Sequence, residues 1–161
     1  MRSGLFVLFF FAIRALTGIA HAAGDERRHD MAMNDEAAED DRRLVAYPEA
    51  LRIKTLANMR DHLLALSEIQ AALAKDDFDA AAEIAENRLG MSSLSLHGAH
   101  EVAPLMPEGM QQAGTALHHA ASRFARTAKD AGVTGDMKAA LGALAETTQT
   151  CAACHAAYRL Q

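Results

Sequence analysis

From Leu56 to Leu73 the apolar side chains Leu56, Met59, Leu63, Leu66, Ile69 and Leu73 recur at alternating three- and four-residue steps. That spacing lays them along one side of an α-helix and along neither face of a strand. The period returns three times further on. Phe78, Ala81, Ile84, Ala85 and Leu89 carry it next, then Met110, Gly114, Leu117, Ala121, Phe124 and Ala128. Last come Met137, Leu141, Leu144, Thr148, Cys151, His155 and Tyr158. The breaks between these stripes hold helix-ending chemistry. "KDDFD" offers Asp76 or Asp77 as a cap, and "AGVTGD" offers a stop at Gly132 and a cap at Thr134 or Asp136. Pro48 and Pro107 stand where a missing backbone N–H costs nothing, at the start of a helix. The predicted helices run from Pro48 to Ala74, from Asp76 or Asp77 to Gly90 or on through "MSSLSL", from Pro107 to Asp130, and from Thr134 or Asp136 to Tyr158. Residues 97–107, with two prolines, form the one long connection. Four helices of this kind predict an all-α fold, an antiparallel four-helix bundle over residues 47–161.

The first residues belong to something else. Arg2 precedes the apolar run "LFVLFFFAI", which ends at Arg14 and leads to "AHAA". A basic start, a short greasy core and a small-x-small site describe a signal peptide over residues 1–22 and predict export to the periplasm. The run is too short to span a bilayer, and no later segment is expected to cross one, so no membrane partner is expected after cleavage. Residues 23–46, dense in charges of both signs and without apolar period, read as a flexible leader. Removing Arg2 and Arg14 takes the formal charge from −5 to −7, which excludes nucleic acid and anionic lipid as natural partners.

The chain has two cysteines, Cys151 and Cys154, followed directly by His155. On a helix these three side chains share one face. A disulfide at this spacing would close a tiny loop and strain the helix. A zinc site lacks two further ligands at finger-like spacing, and a thioredoxin-type pair lacks its βαβ setting. C-x-x-C-H is instead the attachment signature of haem c. Two thiols one turn apart can each form a thioether with one porphyrin, and the adjacent imidazole can bind its iron. The expected cofactor is therefore one haem, covalent through Cys151 and Cys154, with His155 as iron ligand.

The ending "CAACHAAYR", on the last of four predicted helices and behind an export signal, resembles the class II cytochromes c. These are cytochrome c-prime and its low-spin, methionine-ligated relatives. Cys151, Cys154, His155, Tyr158 and Arg159 match the family's ending position by position, while residues 48–159 match it in architecture only. The resemblance implies single-electron transfer with periplasmic redox partner proteins. It equally admits a five-coordinate haem protein binding NO or CO. It implies that Arg159 lies near the proximal histidine, and it leaves a homodimer through the first two helices open.

The far side of the iron is the functional crux. Met59 matches the position at which the low-spin relatives carry their ligand, and a thioether there raises the reduction potential relative to two imidazoles. His62, one turn on, is the rival, although its position just before Leu63 predicts a solvated rim. An open distal face is the third alternative. His97, His100, His118 and His119 raise a second metal site, as does "HDMAMND" at residues 29–35. Without carboxylates at ligand spacing, they read as solvated surface histidines. Met91, Met106 and Met110 read as packing residues. No nucleophile–base arrangement is recognisable, both thiols being taken by the haem, so no enzyme activity is expected.

Overall fold

The computed structural model describes residues 40–161; the signal peptide and residues 23–39 of the expected leader lie outside them. A short strand, β1 (Arg43–Val45), comes first. Helix α1 (Glu49–Leu73) follows, then α2 (Phe78–Arg88), a one-turn helix α3 (Ala99–Val102), α4 (Glu108–Thr134) and α5 (Met137–Ala157). Strand β2 (Tyr158–Leu160) closes the chain and pairs in parallel with β1, Leu44 opposite Arg159. The fold is all-α in its core, and no described helix is long and apolar enough to cross a membrane.

The helix boundaries follow the local chemistry. Asp77 accepts from the Ala80 amide at 3.0 Å, and Asp136 accepts from the Ala139 amide at 2.9 Å, each satisfying a donor that the first turn leaves orphaned. Helices α1 and α4 begin immediately after Pro48 and Pro107. The expected stop at Gly132 does not occur. One glycine costs a helix interior only about 1 kcal/mol, and α4 runs on to Thr134. Gly135 is the true stop, its φ of 76° being the left-handed conformation that a side chain opposes.

Packing joins α4 to α5, α2 to α4, and α1 to α2. The core is alanine-rich, with Ala65, Ala81, Ala85, Ala121, Ala128 and Ala140 almost fully buried around Phe124, Ile69 and Leu89. Small side chains let the helix backbones approach closely, while the few large ones fill the space between. A second cluster joins Val45, Tyr47 and Val102 to Tyr158 and Leu160, tying the start of the described chain to its end.

Several sequence expectations are corrected here. Arg43–Val45 are not loose leader, because β1 pairs with β2 and Val45 is buried. The seam of the last helix does not continue through Tyr158, where the backbone turns extended. Leu141 is not an inner-face residue, being 50% exposed, whereas Leu63, 67% exposed, borders an open cavity together with Leu56, Met59 and Leu66. The buried stripe of α1 runs instead through Thr55, His62, Ala65, Leu66, Ile69 and Leu73. The connection between α2 and α4 is longer than the expected 97–107, and contains a 3₁₀ turn at Met91–Ser93, then α3, then a second 3₁₀ turn at Ala103–Leu105.

Candidate functional site

A cavity of about 480 Å³ lies between α1, α4, α5 and the 91–107 connection. Met59 and His62 face it from α1, His97 and Met106 from the connection, and Met110 and His118 from α4. Thr150, Cys151, Cys154 and His155 face it from α5, joined by Tyr158 and Arg159 from β2. Met59, Cys151, Cys154, His155, Tyr158 and Arg159, the residues assigned to haem from the sequence, therefore line one space. Its volume falls within the roughly 300–1,000 Å³ typical of ligand and cofactor pockets.

Helix α5 sets the thiol geometry. Both cysteines are free and partly buried, and the Cys151 thiol donates to the Thr147 carbonyl one turn back at 3.7 Å. Burial raises the pKa of each thiol, and for Cys154 the neighbouring Cys151 adds to the rise. Both are thus S–H groups at neutral pH, the form that adds across a carbon–carbon double bond without any oxidant. His155 sits on the same turn with its ring exposed along the cavity. The guanidinium of Arg42 donates to its backbone carbonyl at 3.4 Å, and Arg159 Nε donates to the Arg42 carbonyl at 3.4 Å. The β1–β2 pairing thus holds the segment after the histidine.

Three histidines depart from expectation. His62 is not on a solvated rim, being 6% exposed, and His118 is not a surface residue, being 9% exposed. His97 is half-buried, and its Nε2 stands 3.3 Å from that of His62. The His97 and His118 ring centroids are 5.5 Å apart. His100 and His119 are exposed as expected, the 118–119 pair pointing in different directions. Burial first, then the nearby His97 and His118, push the pKa of His62 down to about 4. Burial and His118 lower His97 in the same way. Both rings are therefore neutral at physiological pH.

The cluster is held from outside. Arg88, at the end of α2, bonds both carboxylate oxygens of Asp61 and reaches Glu68, fixing α1 beside His62. Asn58 donates to the His97 carbonyl at 3.1 Å, and His118 Nδ1 lies 2.7 Å from the Leu89 carbonyl oxygen. Sequence reading missed this cluster, since a histidine within an apolar period counts as polar. The spacing 55–62–66–69–73 on α1 was the available signal.

Haem fits these residues. Two S–H groups and an imidazole stand on one wall of a largely apolar space, and Thr55 Oγ1 and His97 Nδ1 are buried without a hydrogen-bond partner. Compared with protein-family models, curated proteins and solved structures, the chain has no match.

Proposed function

We propose that the chain is an exported, periplasmic c-type cytochrome that passes single electrons between redox partner proteins. In this reading α1, α2, α4 and α5 form an antiparallel four-helix bundle of the class II cytochrome c kind. The observation that carries it is that Cys151, Cys154, His155 and Met59 line the same cavity. Cys151 and Cys154 would hold haem through thioethers, with His155 as proximal ligand and Met59 as preferred distal ligand. When bound, haem supplies an iron that changes oxidation state by one electron. The largely apolar walls would limit water at the metal, and Arg159 would add positive charge beside the cavity, which would favour the less positive iron. His62 commits its Nε2 to His97, which supports Met59 as the donor offered by α1.

Production in a host competent for cytochrome maturation tests the reading. Red colour surviving acid-acetone extraction, with sharp α and β bands when reduced and no response to carbon monoxide, is the expected result. Met59→Ala should convert this spectrum to one that responds to carbon monoxide. A broad high-spin spectrum of the unsubstituted protein would instead favour a five-coordinate NO- or CO-binding protein. A colourless product with free thiols would overturn both readings.

A further inference from the structure

Helix α1 presents two side chains able to bind iron, Met59 and His62, one turn apart on the same cavity wall. Imidazole is the stronger competitor. It suits iron well, whereas a thioether is a soft donor that holds the ferric ion less firmly and so raises the potential. The His62 ring is also neutral at physiological pH, so no second proton blocks its lone pair. A thioether on the iron therefore requires something that withholds His62. We propose that His97 is the ligand-selecting residue: by hydrogen-bonding Nε2 of His62 it keeps that imidazole from the iron and leaves the distal position to Met59. The inference rests on the cytochrome reading above and adds to it what chooses between the two donors.

The two Nε2 atoms are 3.3 Å apart and the rings are inclined at 63°, so a protonated nitrogen of one ring meets a bare nitrogen of the other. Whichever ring donates, Nε2 of His62 is taken. It is the nitrogen at the far end of the ring, the one with the greatest reach. His62 is 6% exposed, so water cannot readily replace this bond. His97 holds its partner because it is itself held. Asn58, the neighbour of Met59, donates to the His97 carbonyl at 3.1 Å. Lys54, one turn earlier, pairs with Glu101 at 3.0 Å. Lys54, Asn58 and His62 recur every four residues, so one edge of α1 grips the connection at three levels. Gly98 permits the close approach: its φ is 65°, and a Cβ there would stand 2.6 Å from Lys54 Nζ. From α4, the His118 ring packs against His97 with centroids 5.5 Å apart and is anchored to the Leu89 carbonyl.

The test uses the full haem-loaded protein, read by its absorption spectrum and reduction potential. In His97→Leu the restraint is gone. A change to the low-spin spectrum of two imidazoles is expected, with loss of the weak red band of thioether-bound ferric iron and a fall in potential. His97→Gln keeps a hydrogen-bonding group for His62 and should retain the original spectrum. In a His62→Leu background, His97→Leu should no longer lower the potential, because the competing imidazole is absent. A merely structural role for His97 would not show that dependence. Circular dichroism verifies that each variant is folded. Nitrogen-15 resonances of the His62 ring in the unsubstituted ferrous protein give a reading that needs no variant, and should report a hydrogen-bonded ring that is not bound to iron. A His62 nitrogen on the iron in that protein overturns the inference. So does a His97→Leu variant that keeps its methionine ligand or opens to carbon monoxide. Methionine-ligated haem with an indifferent His97→Leu sinks this inference alone. A protein that takes up no haem sinks the cytochrome reading and this inference with it.

Discussion

His118 Nδ1 lies 2.7 Å from the carbonyl oxygen of Leu89, joining the middle of α4 to the residue that caps the end of α2. Leu89 is 1% exposed, so its carbonyl has no water to fall back on. Replacing His118 with leucine strands that acceptor, at a cost of about 1–3 kcal/mol. Urea denaturation of His118→Leu should show this loss. His118→Gln, which keeps a donor, should recover part of it. Equal stability of the two variants would mean that the bond contributes nothing.

Arg88 binds two carboxylates of α1, Asp61 and Glu68, from the last turn of α2. The carboxylate side chains are 46% and 43% exposed, so solvent screens the pairs and the stabilisation is modest. Arg88→Met should cost about 1 kcal/mol, and the difference should shrink in high salt. The cost is expected to fall on the α1–α2 alignment beside His62. The nuclear magnetic resonance shifts of the His62 ring should therefore move even where stability changes little. Unmoved His62 shifts would show that Arg88 does not position it.

The helix caps and stripes were legible in the sequence because their causes are local. Asp77, Asp136, Pro48 and Pro107 each act on a neighbouring turn, and Ile69, Phe124 and Leu144 report burial through a period of a few residues. What could not be read depends on distant partners. Strand β1 exists only because Tyr158–Leu160 lies beside it, more than a hundred residues away. His62 is buried because the 91–107 connection folds His97 over α1, a placement no window around His62 contains. In the candidate site, Cys151, Cys154 and His155 were readable from their spacing alone. His118 was not, since only the finished packing distinguishes it from exposed His119.

Gly109 sits in the first turn of α4 against Tyr158, and a Cβ there would stand 2.5 Å from the tyrosine hydroxyl oxygen. Replacing a helical glycine with alanine ordinarily stabilises by about 0.5–1 kcal/mol. Here the gain should be offset, because the Tyr158 ring must shift within the cavity wall. Removing the hydroxyl releases the conflict. Gly109→Ala should therefore be more favourable in a Tyr158→Phe background than alone, a coupling that a double-mutant cycle of melting temperatures measures. Strict additivity would place the tyrosine hydroxyl elsewhere.

The pH dependence of stability should carry the mark of His62. Burial lowers its pKa to about 4 in the folded chain, against 6.5 when exposed. Between these values the unfolded chain takes up a proton that the native chain refuses, so stability falls as pH falls. The full effect is on the order of 3 kcal/mol, present above pH 6.5 and gone at about pH 4. His97, also lowered by burial, acts in the same sense. Arg88 holds the Asp61 carboxyl below its usual range, which adds a further loss only as pH falls below the ordinary carboxylate region. Urea midpoints of EDTA-treated protein at pH 7.5, 6 and 5 separate these contributions when compared with His62→Leu. That variant should lose much of the slope between pH 6.5 and 5 while keeping the steeper loss at lower pH. An unchanged slope would mean that the His62 ring is protonated as readily in the folded chain as in the unfolded one.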